Sequence, residues 1–252
     1  MVLALEFPPI NELVRWRDLF PTFNKVALIA VLATLVALGI FLLASRADGL
    51  KAPKGVRNFA ETIVEFVENQ IIMPTMGREG MGWTPFLLTL FMFIYLCNVP
   101  GIIPIIYMPA TARIAIPAFL ALLVWVIFIV VGFKHQGFGY LKNSLFPPGV
   151  PAPLYILVVP IEFFSTFLLR PFSLTIRLFA NMFAGHILLV TFALLTEELV
   201  QSDTIALKPV AILPFFMLLF ITAFEVLVGF LQAYIFTMLA GVYIASSSHA
   251  EH

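Results

Sequence analysis

The chain has 252 residues with 14 basic and 14 acidic side chains, so its zero net charge gives no basic footprint for binding nucleic acid. Apolar residues make up 62% of the sequence, where a soluble domain has roughly 45–50%, and charged residues make up only 11%. The mean hydropathy is +1.05. This composition excludes disordered, coiled-coil and disulfide-scaffold proteins and indicates that lipid surrounds much of the chain. The single cysteine, Cys97, excludes an internal disulfide and a paired-cysteine metal or redox site.

Five apolar stretches are long enough to cross a bilayer, which takes about 20 residues of helix. In chain order they are Val26–Ala44, Trp83–Tyr107, Ile114–Phe133, Leu154–Leu195 and Val210–Ala245. Residues 1–24 precede them and have no small-residue cleavage site of a signal peptide, so we expect an outer N-terminal segment there. The expected fold class is an all-α integral membrane protein, with one membrane domain over residues 1–252.

The last two stretches are too long for single upright spans. Leu154–Leu195 has 42 residues, or about 63 Å of helix, against about 30 Å of hydrocarbon core. Neither of its prolines, Pro160 and Pro171, has a glycine or asparagine neighbour that would favour a hairpin turn. We therefore predict two long tilted helices, 154–199 and 209–245, that form an antiparallel pair, with one of these prolines at a kink.

A different kind of helix is predicted over residues 54–73, between the first two spans. Its apolar side chains recur every three or four positions: Val56, Phe59, Ala60, Ile63, Phe66 and Val67. Its polar side chains lie away from that face: Arg57, Asn58, Glu61, Glu65 and Glu68. This pattern is typical of an amphipathic helix that lies on the membrane, on a partner subunit or on the chain's own core.

Positively charged residues predict the orientation of the spans, because they are enriched in cytoplasmic loops. Seven fall on one side: Arg46, Lys51, Lys54, Arg57, Arg78, Lys134 and Lys142. Five fall on the other: Arg15, Arg17, Lys25, Arg113 and Lys208. The N-terminus is therefore expected outside and the C-terminus inside.

Ionisable side chains inside the apolar stretches are functional candidates, because a charge in lipid is costly. The ionisable and polar candidates are Asn98, Glu162, Arg170, Arg177, Asn181, His186, Glu225 and Gln232. Helical spacing puts Asn181 on the same face as Arg177, and it puts His186 on the opposite face. Arginine keeps its proton in proteins, so Arg177 cannot relay protons and is predicted to act as a fixed electrostatic barrier.

Four of these residues also have a purely structural interpretation. Arg170 is close to a span end and its side chain can reach the interface. His186 can be a packing residue, Glu162 can lie at the interface, and Asn98 can bond backbone groups that Pro100 leaves free.

If the two long helices run antiparallel and the chain turns within 197–208, one residue from each helix lies at the same depth in the membrane when their residue numbers add up to about 410. Two polar pairs meet this condition, Arg177 with Gln232 and His186 with Glu225. His186 and Glu225 form an outer layer, which the side chain of Asn98 reaches. Arg177 and Gln232 lie about 14 Å deeper in the membrane, and Glu162 lies deeper still. Straight helices cannot bring both pairs into contact, so a bend is expected, with Gly185 as the candidate. Because histidine and carboxylate groups pass protons near neutral pH, this arrangement predicts two half-paths separated by Arg177.

Two sequence motifs resemble subunit a of the F-type ATP synthase membrane sector. They are Arg170-Pro-Phe-Ser-Leu-Thr-Ile-Arg-Leu-Phe-Ala-Asn-Met-Phe-Ala-Gly-His186 and Leu231-Gln-Ala-Tyr-Ile-Phe-Thr-Met-Leu followed by Val242-Tyr243. The similarity continues through Asn98-Val-Pro-Gly-Ile-Ile-Pro104 and Pro160-Ile-Glu162. It covers the chain from about Trp83 to the C-terminus, whereas the N-terminal third does not match by motif.

The resemblance implies a stator subunit in a bacterial plasma membrane that conducts protons against a rotating ring of c subunits. Peripheral-stalk b-type subunits are further implied partners, and no cofactor or metal is implied. The family's essential arginine falls on Arg177, with its polar partners on Asn181 and Gln232. Its titratable pair falls on His186 and Glu225, and some bacterial members carry these two residue types exchanged.

The resemblance also implies where each half-path runs. Asn98 falls on the outer path, which lacks the acidic residue that some members have near Gly101. The acidic residue of the inner path falls on Glu162, near Ser165. In the implied mechanism a proton enters from outside, protonates a carboxylate of the ring, travels with the ring for nearly a full turn and leaves by the inner path.

Three other classes of membrane protein each predict sequence features of their own. A free-standing proton channel or secondary transporter is expected to have inverted repeats with broken helices, and the sequence has no such repeat. A bis-histidine haem subunit needs two histidines within spans, and only His186 qualifies. An intramembrane hydrolase is expected to carry HExxH, GxSxG or paired aspartates, which the sequence lacks.

Overall fold

The computed structural model describes residues 25–45, 54–103, 109–146, 151–202 and 204–248, which form helices joined by short turns. Five helical segments in these ranges are long and apolar enough to cross a membrane: Lys25–Ser45, Arg78–Gly101, Ala115–Gln136, Tyr155–Gln201 and Leu207–Ser248. The all-α class and the five spans are thereby confirmed. Some predictions fall outside the described part, namely those on 1–24, Arg46, Lys51, Pro104, Tyr107 and the Lys142 side chain.

The described part of the chain contains nine α-helices. In order they are α1 (Lys25–Ser45), α2 (Val56–Val67), α3 (Met73–Met76), α4 (Thr84–Asn98), α5 (Ala115–Gln136), α6 (Gly139–Leu145), α7 (Tyr155–Phe163), α8 (Arg170–Gln201) and α9 (Ile212–Ser248). Two π-helical turns join helices end to end, Glu68–Ile72 between α2 and α3, and Phe164–Leu169 between α7 and α8. The two long C-terminal helical segments are present as predicted.

The fourth span is one helical segment of 47 residues, with its irregularity between the two prolines. Pro160 lies inside α7, where it has no N–H to give to the carbonyl one turn before it. Pro171 lies in the first turn of α8, where a missing N–H costs little. The π-helical turn Phe164–Leu169 between them distorts the span, whereas the sequence favoured a kink at one of the prolines.

The described helical part of the second span ends at Gly101, and 104–107 of the predicted span lie outside the described residues. α4 ends at Asn98, and Val99–Gly101 forms a 3-10 turn, because Pro100 cannot continue the helical hydrogen bonds. A Cβ atom placed on Gly101 would lie 2.8 Å from Cδ of Pro109. The chain therefore folds back tightly at this point, and a glycine is needed for the close approach.

The amphipathic helix packs on the protein itself along its C-terminal half. Val67, Ile71 and Ile72 have no exposed surface and belong to the main core cluster. Val56 and Phe59, in the first turn of α2, remain exposed. The interpretation as a packing helix therefore holds for its second half, and its start leaves an apolar surface for lipid or a partner.

The core lies among α4, α5, α8 and α9, where α9 packs against the other three helices. Much of the remaining surface is apolar. Phe172 is 61% exposed and Leu213 is 70% exposed, on the two longest helices. Such side chains are covered by lipid or by other subunits when the chain spans a membrane.

Candidate functional site

Arg177 and His186 lie on opposite faces of α8, as their spacing predicts. Arg177 is exposed, whereas His186 is only 2% exposed and shares a buried stripe with Leu178 and Met182. The two side chains therefore line different sides of the helix. Arg177 is also central in its span, 22 residues after Tyr155 and 24 before Gln201.

A hydrogen bond joins the two long helices one helical turn from Arg177. The Nδ2 atom of Asn181 donates to Oε1 of Gln232 at 2.9 Å. Gln232 is 3% exposed, and its Nε2 atom has no hydrogen-bond partner among the described residues. Gln232 therefore pairs with Asn181 rather than with Arg177 itself, and it holds α9 against the helix face that carries the arginine.

Glu225 approaches α8 at the residue next to His186. A Cβ atom placed on Gly185 would lie 3.0 Å from Oε1 of Glu225, so only glycine leaves ordinary room for the carboxylate. α8 continues as an α-helix across Gly185, which supplies this space, and a bend there stays a prediction. Gly185 with Glu225 and Asn181 with Gln232 fix α8 and α9 as an antiparallel pair.

Three buried polar atoms of the predicted outer layer have no hydrogen-bond partner among the described residues. Glu225 is 5% exposed, and neither of its carboxylate oxygens accepts a hydrogen bond from a described residue. Nδ1 of His186 is likewise buried and without a partner in the described part. Buried polar atoms normally bond to protein or water, so this layer has unused capacity for water or protons. A direct interaction between His186 and Glu225 stays a prediction.

Asn98 joins three elements next to that layer. Its Nδ2 atom donates to the Gly229 carbonyl of α9 at 3.2 Å, and its Oδ1 atom accepts a hydrogen bond from the Thr111 hydroxyl. Asn98 thus bonds backbone of another helix instead of backbone that Pro100 leaves free. Sequence reasoning missed Thr111, because it lies outside the apolar stretches that were searched for polar residues.

Two residues predicted for the inner half-path lie near the junction of α7 and α8. Glu162 is the second-last residue of α7 and is half-buried, and Ser165, also half-buried, lies within the π-helical turn that follows. π-helical turns recur at functional sites, because they displace side chains and free backbone carbonyls. Their place on a proton path stays a prediction.

Arg170 packs between aromatic rings. Its guanidinium carbon lies 5.1 Å from the ring centre of Tyr243 and 5.9 Å from that of Phe128. These cation–π contacts connect α8 with α9 and α5. They favour a structural role for Arg170, in contrast to the exposed Arg177.

Comparison with known proteins agrees with the helices and motifs. The ATP synthase A chain family matches residues 27–245, so the similarity includes the N-terminal part that the motifs left unmatched. ATP synthase subunit a of Frankia alni is 41% identical over 91% of this chain and 79% of its own length. That of Hyphomonas neptunium is 38% identical over 98% of both chains, and ATP synthase subunit a 1 of Brucella anthropi is 42% identical over 92% of this chain and 90% of its own length. Because the match extends over residues 27–245, which include Arg177, this chain belongs to the ATP synthase A chain family.

Proposed function

We propose that the chain is the proton-conducting stator subunit of an ATP synthase membrane sector, with Arg177 as the electrostatic barrier between two half-paths. The observation that carries this proposal is the environment of Arg177. It lies at the middle of a span, on an exposed helix face, and no acidic side chain of the described residues pairs with it. A lone cation in lipid is costly, so an acidic group of another subunit must face it.

A carboxylate on each subunit of a c-type ring fits this requirement. When protonated it is neutral and can face lipid at low cost, and when ionised it is stabilised beside Arg177. Rotation of the ring exchanges one carboxyl group for the next. The permanent charge of Arg177 keeps protons from crossing directly between the half-paths.

The outer half-path is assigned to His186 and Glu225, with Asn98 beside them. Both ionisable side chains are buried and carry polar atoms without a hydrogen-bond partner among the described residues, so they can bind water and exchange protons with it. The inner half-path is assigned to Glu162 and Ser165, at the π-helical turn of the same span.

Asn181 and Gln232 are assigned a supporting role. Their hydrogen bond holds α9 to α8 one turn from Arg177 and leaves the Gln232 amide N–H available on the buried side. This bond keeps the face that carries the arginine at a fixed distance from the second long helix.

The chain is proposed to act only within its complex, as a subunit without enzymatic activity of its own. Its proposed partners are the c-subunit ring, peripheral-stalk b-type subunits and lipid, and its proposed location is a bacterial plasma membrane. The membrane potential supplies about 2.3 kcal/mol per proton per 100 mV, so several protons must pass for each ATP made by the complex.

Vesicles that contain the chain alone are expected to stay tight to protons, and vesicles with the ring alone are expected to do the same. Co-reconstitution of the chain with its c-ring is expected to produce passive proton uptake under an imposed potassium potential. The measurement is the quenching of a pH-sensitive dye. Proton uptake by the chain alone would contradict the stator proposal and favour a free-standing channel.

The orientation is expected to be N-terminus outside and C-terminus inside. In a Cys97→Ser background, a Ser248→Cys variant should react with a membrane-impermeant thiol reagent only in inside-out vesicles, because α9 ends on the inner side. Tyr107→Cys should react from the outer side. Labelling of Ser248→Cys in intact cells, or of Tyr107→Cys only from the inner side, would contradict the orientation predicted from the positively charged residues.

A further inference from the structure

The connection between the second and third spans enters the interior of the protein. Ala110, Thr111 and Ala112 form a 3-10 turn in which none of the three residues is more than 2% exposed. This turn packs against α1, α4, α5 and α8. A loop that only connected two spans would lie at the surface, so its burial indicates a defined role.

Thr111 is the polar member of this turn, and its hydroxyl donates to Oδ1 of Asn98. The Gly229 carbonyl can only accept, so it requires the amide nitrogen on the side of α9, and the Thr111 hydroxyl anchors the amide by donating to its other end. With Oδ1 held by Thr111, the amide nitrogen faces the Gly229 carbonyl and donates to it at 3.2 Å. With the amide reversed, an oxygen would face the carbonyl oxygen, and the bond to α9 would be lost.

Gly229 lies one helical turn from Glu225 on α9. A Cβ atom on Gly229 would lie 3.4 Å from Cβ of Asn98, and a Cβ atom on Gly185 would lie 3.0 Å from Oε1 of Glu225. Two close contacts, one with α4 and one with α8, therefore lie on the same face of α9 within about one turn. The position of the Glu225 carboxylate depends on both.

We propose that Thr111 is a positioning residue for proton entry, which acts through Asn98 and Gly229 to hold the Glu225 carboxylate in the outer half-path. This inference rests on the proposed function, because it assumes that protons enter at Glu225. Thr111 does not touch a proton carrier itself. Its hydroxyl anchors the Asn98 amide, and the amide sets the distance between α9 and α4.

The test uses the complete ATP synthase, reconstituted in vesicles with equal amounts of assembled complex. Thr111→Val keeps the shape of the side chain and removes the hydroxyl. At limiting outside proton concentration it is expected to lower the rate of ATP synthesis about fivefold, the factor that corresponds to the net strength of one hydrogen bond. At saturating outside proton concentration the rate is expected to approach that of the unaltered enzyme, because only entry is impaired.

Two control variants separate positioning from general destabilisation. Thr111→Ser keeps the hydroxyl and should restore the rate at limiting protons. Thr237→Val removes a hydroxyl that is equally buried but donates at 2.8 Å to the Ala233 carbonyl of its own helix, and it should leave proton entry unchanged. Adding Thr111→Val to Asn98→Ala should cause no further loss, since the connection is then already broken.

Unchanged entry in an assembled Thr111→Val complex would overturn the inference, and so would equal losses in Thr111→Val and Thr111→Ser. Should Thr111→Val not assemble, the comparison is between Thr111→Ser and Asn98→Ala, and equal entry rates in these two would overturn it as well. The Arg177→Ala variant, measured in parallel, reports on the proposed function. Loss of coupling there, with normal entry in the Thr111 variants, would reject the positioning role alone.

Discussion

Replacement of Arg177 by alanine is expected to abolish ATP-driven proton pumping and to open a passive proton leak through the membrane sector. Arg177 is the exposed cation at the centre of the fourth span, and no acidic partner for it lies in the described residues. Without it, a ring carboxylate loses the charge that favours its ionised form, and the barrier between the half-paths disappears. Dye-quenching assays on inverted vesicles that keep the catalytic sector measure both effects, the pumping with ATP present and the passive leak with ATP absent.

Arg177→Lys is expected to fail as well, although it conserves the formal charge. A lysine can lose its proton when it is removed from water, whereas arginine cannot, so the barrier would no longer be permanent. Lys208→Ala provides a matched control, because it removes a cation from an exposed turn at the start of the fifth span. Coupled pumping that persists in Arg177→Ala vesicles would reject the barrier.

Composition and helical spacing were enough to predict the membrane class, the five spans and the two long helices. Lipid exposure requires long uninterrupted apolar stretches, and this constraint leaves few other folds. The separation of Arg177 from His186 followed from 3.6-residue periodicity alone, because α8 is regular between them. The antiparallel register was also predictable, since one short turn fixes which residues of two helices are level.

Three details could not be predicted from the sequence, because they depend on backbone irregularity, on helix rotation and on a contact between a loop and a span. The π-helical turn Phe164–Leu169 has no simple sequence signature, so the distortion was expected at a proline instead. The pairing of Gln232 with Asn181 rather than with Arg177 depends on helix rotation, which depth alone does not determine. The bond from Thr111 to Asn98 connects a loop to a span, and periodicity carries no information about such contacts.

Exchange of His186 and Glu225 is expected to restore proton flux that either single change removes. Glu225 contacts Gly185, next to His186, and the side chains of His186 and Glu225 have buried polar atoms without a partner in the described part of the chain. His186→Glu places two carboxyl groups together, and Glu225→His places two histidines together, so in either case one group resists becoming charged. Each single variant is expected to lower the pumping rate about tenfold, within the range of coupling between neighbouring residues.

The double variant, His186→Glu with Glu225→His, contains one group of each kind and should recover much of the lost rate. None of the three variants should open a passive proton leak, because Arg177 is unchanged. The leak assay therefore serves as the control that the barrier at Arg177 is intact. A double-mutant cycle on the pumping rate measures the coupling. If the double variant is no faster than the product of the two single losses predicts, the two positions act independently, and the outer half-path does not run between them.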